Sequence, residues 1–208
     1  MKKIQKTLEN TIVITKSEFI THIYRVDSVL EAEIILEDTR KKYWDATHNC
    51  YAYIIGETGE IQKCSDDGEP SKTAGAPMLD VLKKQGITNI LAIVTRYFGG
   101  TLLGAGGLVR AYSQSVSECL KHAEFYDTKY QSKFMLITSY PGYNSLINNV
   151  SYVNILENTF TDNVNVIATC DIDKYDNLFN DLYSCKVDVI SLNKIGDVPI
   201  EVLIDTSS

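Results

Sequence analysis

Hydrophobic positions along the first 128 residues change period several times, and each change marks an element. Thr11-Ile12-Val13-Ile14-Thr15 is a β-branched run, and Phe19-Ile20-Thr21-His22-Ile23-Tyr24 reads as its neighbouring strand. Ser28-Val29-Leu30-Glu31 has the spacing of a capping box and predicts a helix to about Tyr43. Thr47 to Ile55 is a strand rich in Tyr and Ile. Gly56-Glu57-Thr58-Gly59 turns the chain, and Glu60 to Ser65 returns. Pro77 at a first helical position, followed by Met78, Leu79, Val81 and Leu82, predicts a short helix to Gly86. Then Asn89 to Val94 is almost continuously apolar, Arg96 ends the strand, and a glycine-rich segment leads into a helix. Leu108, Tyr112, Val116, Cys119 and Leu120 form one stripe of that helix.

Beyond Glu124 to Tyr130 the pattern changes, which predicts a boundary and two domains, residues 1–128 and 129–208. The second part contains a near-repeat. Tyr143-x-x-Leu146-Ile147-x-x-Val150 is echoed by Tyr175-x-x-Leu178-Phe179-x-x-Leu182, each the apolar face of a helix. Pro141 is expected to start the first helix and Asp173 to cap the second. Strands at 134–138, 155–161, 164–169, 187–192 and 200–204 flank them. The order β-α-β-β-α-β predicts a ferredoxin-like sandwich, and the chain as a whole reads as α/β (α+β).

Composition narrows the function classes. No apolar run approaches the roughly 18 residues that cross a bilayer, and the basic start Met1 to Lys6 has no apolar stretch behind it. The five cysteines are scattered, with no C-x-x-C, so free thiols in a cytoplasmic protein are expected. Net charge is −7 and uneven: 15 basic against 17 acidic side chains to residue 128, then 5 against 10. An acidic second part is a poor match for phosphate backbones, so any RNA contact belongs on the first part.

Candidate chemistry centres on Arg96 to Tyr112. Gly99, Gly100, Gly104, Gly106 and Gly107 lie within nine residues. As a loop they would present backbone N–H groups at a helix start, flanked by Arg96 and Arg110, to an anion. A P-loop is excluded, because Leu108 and Val109 follow Gly107. A tight strand-to-helix connection explains the glycines equally well. Ser65-Asp66-Asp67-Gly68-Glu69 supplies three carboxylates that suit a solvated turn, partners for Arg96, or a weak Mg²⁺ site. His48 and Cys50 share a strand face. The residues complete no metal-ligand set, and no cofactor is expected. Tyr97, Phe98 and Tyr112 suit base stacking, a protein anchor or the core. Arg40, Lys41, Lys42, Tyr43 and Trp44 form the densest cationic-aromatic cluster, as a helix C-terminus also would.

Three blocks carry a family resemblance: Ala46-Thr47-His48-Asn49-Cys50-Tyr51-Ala52-Tyr53, then Ser65 to Leu79 with Asp66-Asp67-Gly68-Glu69-Pro70-Ser71-Lys72-Thr73-Ala74-Gly75, then Arg96 to Tyr112. In this order the sequence resembles the YigZ/IMPACT family. The resemblance implies an N-terminal ribosomal-protein-S5-like domain and a C-terminal ferredoxin-like βαββαβ domain, both similar to domains of translocase elongation factors. It also implies regulation of translation, since eukaryotic relatives act by binding a partner protein. Many members have Gly where this chain has Lys72. The expected function is non-catalytic binding of RNA phosphate, the ribosome or an acidic protein surface, without a membrane. The expected ligand-binding residues are Arg96, Tyr97, the five glycines, Arg110, His48, Asp66, Asp67, Glu69 and Lys72. The alternative is a small-molecule hydrolase or phosphoryl-transfer enzyme built on Asp66, Asp67, Glu69 and Arg96.

Overall fold

A computed structural model describes residues 1–204; residues 205–208, assigned by sequence to the second domain, lie outside the described residues. The chain divides into two compact units. One comprises residues 1–127 with the described end at 203–204, and the other comprises 128–202.

The first unit contains β1 (Lys3–Ile4), β2 (Leu8–Ile14), β3 (Ser17–Arg25), α1 (Val29–Lys42), β4 (His48–Ile55), β5 (Ile61–Ser65), α2 (Gly75–Lys84), β6 (Ile90–Tyr97) and α3 (Gly104–Leu120). Its antiparallel sheet runs β2-β3-β6-β4-β5. Helices cover both faces, which is why the central strands β4 and β6 read as apolar runs rather than alternating. On one face Phe19, Ile23, Ile54 and Val94 meet Met78 and Leu82 of α2 and Tyr112 and Val116 of α3. On the other, Tyr53, Leu91 and Ile93 meet Ala32 and Leu36 of α1. The capping box forms with one change. Ser28 accepts from the Glu31 N–H at 3.2 Å, but the Glu31 carboxylate reaches Asp27 N–H, one residue further back.

Two expectations in this unit need correction. Helix α2 starts at Gly75, so Pro77 is its third residue, not its first. The glycine segment is not one long loop either: Gly104, Gly106 and Gly107 belong to α3, and only Phe98–Leu103 connects it to β6.

The second unit is built from β7 (Phe125–Thr138), α4 (Tyr140–Asn149), β8 (Asn154–Phe160), β9 (Val164–Asp171), α5 (Ile172–Tyr175), α6 (Leu178–Ser184) and β10 (Val189–Leu203). Its strand order is β10-β7-β9-β8, the ferredoxin-like arrangement. Phe134, Leu136, Val166 and Ala168 of the sheet pack with Leu146, Leu178 and Leu182 of the helices. The composition change at 124–130 falls inside the continuous strand β7, whose Phe125 and Tyr126 pair with β1. The second repeat copy is not one helix. It breaks after Tyr175, and Asp171 rather than Asp173 precedes α5, without a side-chain cap. Ile147 and Phe179, equivalent in the two copies, are both exposed, so the buried stripes are narrower than the sequence predicts. Together the units give the mixed α/β architecture in two sheets.

Candidate functional site

The acidic loop after β5 is folded by its own carboxylates. Asp66 Oδ1 accepts from the N–H groups of Ala74 (3.0 Å) and Gly75 (2.8 Å), and its Oδ2 accepts from Lys72 N–H at 2.7 Å. Asp66 therefore satisfies the start of α2, which has no cap from its own N-cap residue Ala74. Asp67 Oδ2 accepts from Asn49 N–H at 2.7 Å, while its Oδ1 lies 3.5 Å from Arg40. Gly75 has to be glycine, because a Cβ there would stand 2.7 Å from the backbone of Ser65.

Glu69 points inward from the same loop, and its side chain is 3% exposed. Its Oε1 accepts from Arg96 Nη1 at 2.6 Å and from the Tyr112 hydroxyl at 2.8 Å. Arg96 also donates to Ser17 Oγ at 3.3 Å, and its guanidinium lies over the rings of Phe19 and Phe98. Loop, sheet and α3 are thus tied at one buried ion pair. Arg96 is buried and paired with Glu69 rather than offered to an external anion, which corrects the expectation that it flanks an anion site.

His48 and Cys50 on β4 turn toward this loop. Cys50 Sγ donates to Asp66 O at 3.0 Å, and His48 Nδ1 lies 2.8 Å from Asp67 O. Burial pushes the Cys50 thiol far above its ordinary range and the Tyr112 phenol likewise, with neighbouring Glu69 adding to both. Burial thus disfavours the thiolate and phenolate forms here.

Above the ion pair lies a cleft of about 350 Å³. Thr47, His48, Glu69 and Arg96 are its polar residues. Pro70, Phe98, Leu102, Leu103 and Leu108 provide apolar walls, and Gly104 and Ala105 of α3 border it. Leu102 is 86% exposed and Phe98 45%. Helix α3 receives no side-chain cap at Leu103, so its first N–H groups have no side-chain acceptor there.

Of the residues expected at a site, His48, Glu69, Arg96 and Gly104 meet in the cleft. Asp66 and Asp67 support it from behind through backbone bonds. Gly99 packs on the β2–β3 turn, where a Cβ would be 2.0 Å from the Lys16 carbonyl. Gly100 lies on the exposed connection with φ +82°, and Gly106 and Gly107 lie in the first turn of α3. Tyr97 donates to Asp45 at 2.9 Å and does not line the cleft. Lys72 is exposed; Arg110 is exposed too, and among the described residues it has no ion-pair partner. Sequence reasoning missed Ser17, Pro70, Leu102 and Leu103. The paired leucines between glycines were the available signal, since an apolar pair in a polar connection suggests a contact surface. Among the described residues no group of three or more His, Cys, Asp or Glu side chains is placed to hold a metal ion. Among them, too, no helix is long and apolar enough to cross a membrane.

Fold and site together define a two-unit α/β protein whose first unit carries an apolar cleft over an internally neutralised ion pair. The chain belongs to the YigZ/IMPACT family, for the Impact N-terminal domain matches residues 15–120. It is 56% identical over 119 residues to IMPACT family member YvyE of Bacillus subtilis (strain 168), covering 57% of this chain and 55% of that protein. It is 46% identical over 110 residues to IMPACT family member YigZ of Escherichia coli (strain K12), covering 52% and 54%. The matches thus span about half the length of these relatives. A crystal structure described only as that of a hypothetical protein aligns over 93% of this chain and 96% of its own, with 28% identity and a TM-score of 0.60.

Proposed function

We propose that this chain is a non-catalytic binding protein linked to regulation of translation, and that its N-terminal unit recognises a protein surface through the cleft beside Arg96. The link to translation comes from the family, whose eukaryotic relatives the resemblance marks as translational regulators. The observation that carries the binding mode is the exposed apolar rim of Leu102 and Phe98 over a floor whose charges already match each other. Exposed aromatic and aliphatic anchors beside a pocket are what protein interfaces use. Phosphate recognition needs unspent cations. Arg96 is spent on Glu69, while Arg110 and Lys72 are exposed without lining the cleft and could meet acidic residues of a partner. A ribosomal protein surface or a translation-associated protein fits this chemistry better than bare RNA.

The internal contacts of the acidic loop favour this reading over the enzymatic alternative. Both carboxylates of Asp66 and Asp67 are engaged with backbone N–H groups, and Glu69 is held by Arg96 and Tyr112. The test is sedimentation of the full chain with ribosomes and with ribosome-depleted extract across a salt series. Wild-type chain should appear in a bound fraction, and a Leu102→Asp variant should leave it while keeping its circular dichroism. Absence of the wild type from every bound fraction, even at low salt, would refute the reading.

A further inference from the structure

Helix α1 carries apolar side chains on the side that faces water. Its buried positions are Ala32, Leu36 and Thr39. Leu30 and Ile34, one turn apart, are 67% and 55% exposed. A helix that only covers a sheet turns its larger aliphatic side chains inward and its charges outward. Here alanine and threonine take two of the inner places, while a leucine and an isoleucine stand in water. Leu30, Glu33, Ile34, Glu37 and Asp38 have the i, i+3, i+4, i+7, i+8 spacing of one helix stripe, and all are exposed. Single apolar residues scattered on a surface are ordinary. An adjacent pair in one stripe is a contact surface.

The charges around the pair are one-sided. Residues 27–39 contain Asp27, Glu31, Glu33, Glu37 and Asp38, and no Lys or Arg. Arg25 reaches Asp27 at 3.6 Å, Lys63 reaches Glu33 at 3.8 Å and Lys41 reaches Asp38 at 3.3 Å. Surface pairs of this kind hold weakly. Arg40, further along α1, is turned to Asp67. Among the described residues neither Glu31 nor Glu37 is ion-paired. The stripe therefore keeps an excess of negative charge beside its apolar pair. That excess repels a phosphate backbone and an anionic lipid surface. A second copy of α1 would set the same carboxylates against each other. A segment that is apolar and basic at once meets both features.

We propose that the outer stripe of α1 docks a basic amphipathic segment of a partner protein, its apolar residues on Leu30 and Ile34 and its Lys or Arg side chains on Glu33 and Glu37. Helix α1 covers the sheet face opposite α2 and α3, so this surface is separate from the cleft and does not rest on it.

The probe is a labelled peptide of about 15 residues, with leucines at i, i+3, i+4 and i+7 spacing and lysines elsewhere. One control carries glutamates for the lysines, and another carries serines for the leucines. Titrated with the full chain, the leucine–lysine peptide should bind and move the amide resonances from Leu30 to Glu37. The glutamate control should not bind, and the serine control should bind about tenfold more weakly. Leu30→Ser combined with Ile34→Ser changes only exposed positions, and it should weaken the leucine–lysine peptide about tenfold. Glu33→Lys combined with Glu37→Lys should abolish that binding and admit the glutamate peptide. Equal binding of the leucine and serine peptides, or unchanged affinity when Leu30 and Ile34 are replaced, would reduce the effect to diffuse attraction by a chain of net charge −7 and overturn the assignment. Concentration-dependent shifts of the same amides without peptide would place a second copy there and overturn it too. Leu102→Asp should leave the peptide affinity unchanged, so failure at α1 and failure at the cleft are read separately.

Discussion

At position 72 a lysine occupies the left-handed region, with φ +64°. An L side chain there costs roughly 1–2 kcal/mol, part of which a glycine returns through its greater unfolded-state freedom. Its N–H still reaches Asp66, so the strained backbone is held by a carboxylate rather than by its own side chain. Lys72→Gly is therefore expected to stabilise the chain by about 0.5–1 kcal/mol, read as a higher urea midpoint at unchanged m. Asp66 is the opposite case. Asp66→Ala strips an acceptor from three N–H groups and is expected to cost about 2–4 kcal/mol, and Asp66→Asn, which keeps one oxygen, distinctly less. The acidic cluster was visible in the sequence, but its role was not. Three neighbouring carboxylates look alike in a string, whereas the fold sends Asp66 to a helix start, Asp67 to the β4 backbone and Glu69 to Arg96.

Elements were mostly legible, because period and turn chemistry are local. The alternation of β2, the continuous apolar run of β6 and the stripe of α3 each appear where the pattern puts them. The misread pieces are those in which a distant group overrides local preference. Helix α2 gains two residues because Asp66 satisfies its first N–H groups. The glycines after Leu103 were read as loop because glycine disfavours helix interiors, yet they occupy a first turn, where that penalty is smallest. Gly99 answers to another element altogether, the β2–β3 turn. Gly99→Ala would place a methyl group inside Lys16, and a loss of about 2–3 kcal/mol with a shifted turn is expected by urea denaturation and NMR. The β2–β3 pair carries a pH response as well. His22 is buried opposite Glu9, with the Tyr43 hydroxyl at 3.2 Å and Lys42 nearby. Burial holds its pKa below the ordinary 6.5, against the pull of Glu9. The unfolded chain then binds the extra proton first as pH falls, so stability should drop below about pH 6.5. In His22→Gln the fall in urea midpoint between pH 7.5 and 5.5 should be smaller; an unchanged fall would assign it to other groups.

Across the whole molecule, charge decides what the chain can hold. With a net charge of −7, and with Arg96 withdrawn into the core of its unit, the exposed cations are outnumbered by acidic side chains that repel a phosphate backbone. Any affinity for RNA should therefore show a shallow salt dependence, with a slope of log K against log salt no steeper than about −2. Fluorescence anisotropy of a labelled oligonucleotide across a salt series measures it. A steep slope would return the cationic cluster at Arg40 to Lys42 to consideration as a nucleic-acid surface. Protein recognition through Leu102 and Phe98 should instead resist salt, since apolar burial is not screened.

The sequence by itself determined most of the secondary elements, the α/β class, the ferredoxin-like order of the second part and the family, because hydrophobic period, turn residues and ordered motif blocks are properties of the string. Only the tertiary structure decided which carboxylate meets which donor. Glu69, Arg96, Tyr112 and Ser17 come from four places in the chain, and burial together with hydrogen-bond geometry, neither of which has a local signature, turned an expected anion-binding arginine into the closed floor of an apolar cleft.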